Sequence, residues 1–260
     1  MEPNARTRAD RVRDDFDGIA KASAATCETP HFYDRLLTSL VPPHCRRLLD
    51  IGCGTGRVSR MLAHRVEHIT AIDVSPEMIR VARERSAAHP NIVFVQADVL
   101  DLPESLGLFD CVISVNLLHH LDPAAAAPAM KRMVAPGGSL IVHDLRRTTG
   151  AVDTALDVPR LAVKIAWRLS RWSRIAAYFR ERAAWAHHAR DDVISSAAEI
   201  RRIRDSHFTG ATLRQHCLWR YTLVWRDVPA EDGPAANIRG LAHRSSRHAK
   251  PPASGGGNKP

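Results

Sequence analysis

The chain has 260 residues, 45% hydrophobic and 25% charged, with a formal net charge of +9. That balance is ordinary for a globular protein long enough to bury a sizeable core, and it excludes collagen-like, coiled-coil and wholly disordered readings. The charge is local: residues 160–182 carry seven Lys/Arg against one Glu, and residues 230–260 carry five against two acids, which together equal the whole excess. A general nucleic-acid-binding surface is therefore not expected, but a local basic patch is.

No stretch reaches the roughly 18 uncharged apolar residues of a membrane span. The opening MEPNARTRADRVRDDFD has no apolar run of the kind a secretory signal needs. Cys27, Cys45, Cys53, Cys111 and Cys217 are scattered without a C-x-x-C pair. They suit a reducing cytoplasm and argue against a disulfide framework or a cysteine zinc site.

In chain order, residues 1–15 are charged and aperiodic and read as a frayed lead-in. The run from His31 to Leu37 reads as a short amphipathic helix, stopped by Pro42-Pro43. A regular alternation follows. Residues 47–51 form a strand entering a glycine loop, 58–63 a helix, and 69–74 a second strand. Ser75-Pro76-Glu77 opens a helix with an N-cap, a proline at the first helical position and an early acid. Residues 92–95 and 109–115 are the third and fourth strands. A helix starts at Asp122-Pro123 and is expected to end near Ala135, and 139–145 is the fifth strand. Strand and helix alternating in this way predict a parallel sheet with helices on both faces.

Beyond Asp144 the rhythm changes. Leu161, Ile165, Leu169, Trp172, Ile175 and Phe179 recur at helical spacing beside a stripe of Lys164, Arg168, Arg171 and Arg174, so 160–182 reads as a basic amphipathic helix. Residues 193–205 read as another helix, and 212–217 and 221–225 as two late strands. Trp219, Tyr221 and Trp225 are expected in the core there. Residues 230–260 are rich in Gly and Pro and read as a disordered tail.

The informative segment is Leu48-Leu-Asp-Ile-Gly-Cys-Gly-Thr-Gly56. A strand delivers Asp50 to its carboxyl end, and Gly52, Gly54 and Gly56 let the chain turn sharply against a ligand. The following helix points its N-terminal N–H groups the same way. A glycine loop alone says little. Here, however, Arg57 stands where a G-x-G-x-x-G dinucleotide fingerprint needs glycine. Asp50 would repel a pyrophosphate but suits an amino group. Asp73 ends the second strand, where it can accept hydrogen bonds from two ribose hydroxyls.

Together these residues resemble the class I S-adenosylmethionine-dependent methyltransferases, in the branch acting on small molecules. The same family pattern continues in A-I-D-V-S at 71–75, Q-A-D at 96–98, F-D-C-V-I-S at 109–114 and A-P-G-G-S-L at 135–140. The resemblance implies an α/β, Rossmann-like seven-stranded sheet with helices on both faces and the last strand antiparallel. It also implies S-adenosylmethionine as cofactor. The glycine loop with Cys53 would cradle the methionine part, with Asp50 near its ammonium. Asp73 and Val74 would hold the ribose, Asp98 and the Val99 backbone the adenine, Asn116 would border the methyl, and Tyr33, with His31, would cap the cofactor.

The implied layout is a helical cap at 1–45, a methyltransferase domain at 46–229 with a helical lid at 146–210, and the basic tail at 230–260. The expected acceptor is a small molecule (a metabolite, quinone or lipid-like compound). No N-P-P-[YF] follows the fourth strand, and the H-H-L-D-P run resembles that branch. No stable nucleic-acid partner is expected, and helix 160–182 is a solvated face or a peripheral membrane contact. The alternatives are an RNA or protein methyltransferase recruited through the basic helix and tail, or an inactive cofactor-binding partner. His119 and His120 are the candidate bases. As neighbours on a helix they point about 100° apart, which does not chelate one metal well. His187-His188 has the same geometry and no third ligand at metal spacing, so no metal site is expected.

Overall fold

The computed structural model describes residues 16–20, 32–147, 194–216 and 219–227. The chain divides into two units, Met1–Asp227 and Val228–Pro260, and the fold described here belongs to the first. The lead-in at 1–15, His31, the basic helix at 160–182, His187-His188, most of the 146–210 segment and the tail at 230–260 lie outside the described residues.

Seven strands form one sheet. They are β1 (Arg47–Ile51), β2 (His68–Asp73), β3 (Ile92–Gln96), β4 (Phe109–Val115), β5 (Val134–Leu145), β6 (Thr212–His216) and β7 (Arg220–Arg226), in the order β3-β2-β1-β4-β5-β7-β6. The first five run parallel, and β7 is antiparallel to both β5 and β6. This is the α/β sheet with an antiparallel last strand that the sequence leads one to expect. Parallel strands are covered on both faces, so they read as the near-continuous apolar runs seen at 47–51 and 109–115.

Among the described residues, besides the helical residues 16–20, the sheet is flanked by α1 (Asp34–Leu40), α2 (Arg57–Leu62), α3 (Pro76–Arg85), α4 (Pro123–Lys131) and α5 (Ala197–His207). One face of the sheet packs Leu48, Ile113 and Ile141 against Leu37 of α1, Leu62 of α2 and Ile79 of α3. The other packs Val112, Leu140 and Val142 against Ala127 and Met130 of α4 and Ile200 of α5. Side-chain caps begin three helices. Ser75 accepts from Met78 N at 3.0 Å, and Asp122 accepts from Ala124 N at 3.0 Å. Ser196 and Glu199 form a reciprocal capping box, which sets the start of α5 at Ala197.

Three expectations change. Helix α4 stops at Lys131 instead of running to about Ala135, because Val134 pairs with Phe109 and β5 begins there. Helix α1 is displaced toward the C-terminus and ends at Leu40, with Val41 extended as a residue before proline must be. Tyr221 is buried core, but Trp219 is half-buried with φ 60, in the turn that enters β7.

The chain path also places the site. From β1 the chain proceeds outward through β2 to β3, then crosses back to place β4 on the other side of β1. Ile51 and Ser114 are register partners, so the glycine loop after β1 and Asn116 after β4 leave the sheet side by side. Such a reversal opens a crevice at the carboxyl ends of the strands.

Candidate functional site

At that crevice the glycine loop is folded back on β2: both Gly52 N and Cys53 N donate to Ile72 O at 2.9 Å. Gly52, Gly54 and Gly56 have φ of +70°, +52° and +79°. The three differ in what a side chain would meet. At Gly52 it would strike Leu117, and at Gly56 the Phe94 ring and Arg60. At Gly54 the nearest atom is Met78 Sδ at 4.0 Å, so this glycine opens onto space. Gly52 and Gly56 thus serve packing inside the protein, and Gly54 is where a ligand can approach the backbone.

Two carboxylates flank the loop. Asp50 is 1% exposed, and its Oδ2 accepts from Ser59 Oγ at 2.6 Å. Burial pushes its pKa up to about 6, against the opposing pull of the Ser59 hydrogen bond and of Arg57. Asp73 closes β2. Its Oδ2 accepts from Gly54 N at 2.8 Å and its Oδ1 from Ser75 N at 3.0 Å, so it ties the glycine loop to the start of α3. Burial raises its pKa too, opposed by those backbone N–H groups. Beside it, Ser75 Oγ donates to Asp17, in the helical residues 16–20. Val74 is half-buried between Asp73 and Ser75. The Cys53 thiol is pushed well above its usual value by burial and by these two carboxylates. It stays protonated, a small loop residue and not a nucleophile.

Stability should register the cost of burying Asp50. A carboxyl raised from 3.8 to about 6 is protonated in the folded chain while the unfolded chain has already ionised. Its contribution therefore falls as pH rises from about 4 to about 6 and stays low above that. The shift corresponds to about 3 kcal/mol. Asp50→Asn keeps an acceptor for Ser59 and should raise the denaturation midpoint at neutral pH, the gain vanishing below about pH 4. Urea titrations at the two pH values check this.

Further along the crevice, Asp98 is exposed and its Oδ1 accepts from Leu100 N at 2.9 Å, capping the 3-10 turn Val99–Asp101. Val99 is buried in the core beneath it. Asn116 has φ 59, a left-handed conformation uncommon for a residue with a side chain. Tyr33 immediately precedes α1, its ring 4.8 Å from the His143 ring and 5.6 Å from the His216 ring. Arg57, the residue after the last loop glycine, pairs with Asp34 at 2.6 Å and so locks α1 to the glycine loop.

His119 and His120 sit on a 3-10 turn, Leu118–His120, not on an α-helix. His119 Nδ1 lies 2.6 Å from Asp144 Oδ1, and its backbone N donates to Asp144 Oδ2 at 3.0 Å. Asp144 is fully buried near the carboxyl end of β5 and also accepts from Leu145 N at 2.6 Å. An acceptor-only carboxylate with this many donors holds the His119 ring with Nδ1 as its proton-bearing nitrogen. His119 also lines a cavity of about 510 Å³, with Leu118, Leu121, Tyr221, Ile203 and Arg202 among its walls. That volume suits a small organic molecule. His120 packs on His119, ring centroids 3.8 Å apart, and edge-on to Phe16.

The structure therefore brings Asp50, Asp73, the three glycines, Val74, Tyr33 and Asn116 to the carboxyl edge of the central strands. Asp98 and Val99 follow the neighbouring β3. Sequence reading passed over Ser59, Asp144, His143, His216, Thr222 and Arg220. The apolar run of β5 is broken by His143-Asp144 at its carboxyl end, the same placement as Asp50 and Asp73, and that was the available signal. Among the described residues no group of His, Cys, Asp and Glu is arranged to hold a metal ion.

The chain is similar to known proteins over this same region. Residues 48–138 match the family described as "Methyltransferase domain". An uncharacterized methyltransferase of Mycobacterium tuberculosis is 29% identical over 197 residues, covering 75% of this chain and 93% of that one. A ubiquinone biosynthesis O-methyltransferase of Xylella fastidiosa is 33% identical over 156 residues, where the alignment takes in 59% of this chain and 63% of the relative. Among solved structures, an N-methyltransferase of Bradyrhizobium japonicum in complex with S-adenosylhomocysteine aligns at 18% identity with a TM-score of 0.51, over 82% of this chain and 98% of that one. Magnesium protoporphyrin IX methyltransferase of Synechocystis aligns at 16% identity with a TM-score of 0.54, over 86% and 99%. At those identities the two structures speak for the fold.

Proposed function

We propose that this chain is a class I S-adenosylmethionine-dependent methyltransferase that methylates a small organic acceptor, with His119 as general base. S-adenosylmethionine is the cofactor; it supplies a methyl group on a positively charged sulfur. The observation that carries the acceptor reading is His119, held by the buried Asp144 and lining a cavity of about 510 Å³, on the turn that follows Asn116. The similarity to ubiquinone biosynthesis O-methyltransferases supports it. The reading places the work in the cytoplasm, where Cys45, Cys53 and Cys111 remain the free thiols seen here. No described helix is long and apolar enough to cross a membrane.

The residues at the crevice fit a cationic cofactor. The loop offers an open backbone at Gly54 and two buried carboxylates, and no lysine of the phosphate-binding kind. In this reading the main chain of Gly52, Cys53, Gly54 and Gly56 cradles the methionine part, and Asp50 neutralises its ammonium. Asp73 takes the ribose hydroxyls on the remaining lone pairs of its two oxygens, beside Val74. Asp98 and the Val99 backbone meet the adenine, Asn116 borders the transferred methyl, and Tyr33 closes the site from α1. Orienting acceptor and donor in a dry site supplies most of the acceleration such a transfer needs. A base is needed only where the acceptor must lose a proton, and in this reading His119 Nε2 takes it.

Two expected outcomes test the cofactor site. Gly54→Val should abolish S-adenosylhomocysteine binding in calorimetry while the protein still unfolds cooperatively, because the new side chain enters open space and not the core. The strain at φ +52° should cost roughly 1–2 kcal/mol. Wild-type affinity in that variant would show that the loop does not touch the ligand. Second, cofactor affinity should rise with pH through about 6 as Asp50 ionises, then level off, and Asp50→Asn should flatten that dependence.

The function itself is tested by transfer of labelled methyl from S-adenosylmethionine into a fractionated cell extract. Label in the small-molecule fraction is expected, lost with His119→Ala. Label confined to protein or RNA would refute the acceptor class.

A further inference from the structure

A second polar group lies where the carboxyl end of β5 meets the amino end of β7, on the face covered by α1. His143 and Thr222 are register partners across the two strands. His143 Nδ1 lies 2.9 Å from Thr222 Oγ1, and His216 Nε2 lies 2.8 Å from the same oxygen. One hydroxyl carries one proton, so it donates to one ring and accepts N–H from the other. Burial holds His143 down to about 3 and lowers His216 as well, so both rings are neutral at physiological pH. Tyr33 packs against both rings.

Arg220 opens β7 at the edge of this group. It is half-buried, and its guanidinium donates to Asn116 Oδ1 across 104 residues of sequence. That bond helps hold Asn116 in its left-handed conformation at the end of β4. Burial pulls the Arg220 pKa down, while Asp144 and Tyr33 push it back up. Asp144 is already engaged by His119 and Leu145. In the group formed by Tyr33, Asn116, His143, His216, Arg220 and Thr222, the guanidinium is the one formal charge.

We propose that Arg220 anchors a carboxylate of the methyl acceptor, seated against the Tyr33 and histidine rings beside Asn116. The inference rests on the reading that Asn116 borders the transferred methyl. A guanidinium presents a planar fork of five N–H groups, and Asn116 accepts from one arm of it; a carboxylate matches that fork with two parallel hydrogen bonds. The cofactor brings a second positive charge to the same edge. Two cations in a poorly hydrated site repel, and an anion seated with them relieves both. The neutral rings add hydrogen-bonding partners and an aromatic wall without adding charge. Arg220 is the register partner of Leu145 at the end of β5, and His119 is held there by Asp144, the residue before it. An acceptor lying across that edge has its anion at one side and its reacting group at the other.

The test titrates the protein, loaded with S-adenosylhomocysteine, with benzoate and with its neutral isostere benzamide. Binding is followed by calorimetry and by the imidazole signals of His143 and His216. Benzoate should bind saturably and shift both imidazoles, with benzamide about tenfold weaker or more, as loss of a charge-assisted pair requires. Arg220→Gln keeps a donor for Asn116 and should bring benzoate down to the level of benzamide. Arg220→Lys keeps the charge without the fork and should fall between, so it decides the matter if the Gln variant does not fold. Benzoate binding no tighter than benzamide, failure of benzoate to bind the loaded protein, or wild-type benzoate affinity in either variant overturns the anchor. S-adenosylhomocysteine affinity is measured first. Its absence in the wild type would refute the cofactor reading instead, so the two failures are distinct.

Discussion

Asp73→Ala is expected to weaken S-adenosylhomocysteine binding by roughly two to four orders of magnitude, since two charge-assisted hydrogen bonds, each worth about 1.5–3 kcal/mol, are lost together. The effect is large because this carboxylate has two tasks. It accepts from Gly54 N and Ser75 N, so it sets the glycine loop and the first turn of α3, and it presents its remaining lone pairs to the ribose. Removing it leaves two backbone N–H groups to find water, at about 1–3 kcal/mol each if they stay buried. A drop in melting temperature should accompany the loss of affinity. Asp73→Asn separates the tasks: one amide oxygen still accepts, so the loop should hold better than in the Ala variant while ribose binding stays weak. Calorimetry beside thermal unfolding reads both. A folded Asp73→Ala protein with normal affinity would mean that another residue holds the ribose.

His119→Ala is expected to lower kcat by roughly 100- to 10,000-fold on an acceptor that must lose a proton, the usual contribution of a positioned base. Its affinity for S-adenosylhomocysteine should stay unchanged. Asp144→Asn should approach the same loss without touching the acceptor. An asparagine can present an N–H to His119 Nδ1, which reverses the tautomer and moves the proton to the nitrogen that should accept. A purely structural role for Asp144 would lower stability without a selective loss of kcat, whereas a positioning role lowers kcat in a protein that still folds and still binds S-adenosylhomocysteine. His120→Ala should keep most of the turnover, since that ring packs between His119 and Phe16. Equal turnover in the wild type and His119→Ala would remove the base from the mechanism and leave proximity alone.

How much of the site was legible depends on how local its causes are. The glycine loop could be read because only glycine takes φ near +70° without strain, and three such residues follow an apolar strand. Asp50 and Asp73 could be placed because each lies at the carboxyl end of a strand whose length its own residues declare. Asp98 shows the limit: its side chain caps the 3-10 turn at Leu100 N, and a position at the end of a strand suits that use as well as a ligand. The helix reading of His119-His120 missed the 3-10 turn, whose shape is set by Asp144, 25 residues downstream.

By itself the sequence determined the strand-and-helix alternation, the glycine turn with its two carboxylates, and the family. These follow from short-range rules of backbone conformation and apolar periodicity. Only the tertiary structure decided that α4 stops at Lys131, because that depends on Val134 finding Phe109. It also decided that Arg57 would bind Asp34, that Thr222 would sit between two histidines, and that Arg220 would reach Asn116. Apart from the His216–Thr222 contact, which spans only the β6–β7 hairpin, those pairs join residues 23 to 104 positions apart, and a side chain's partner at such a distance is set by sheet order and register. No local pattern of residues encodes it.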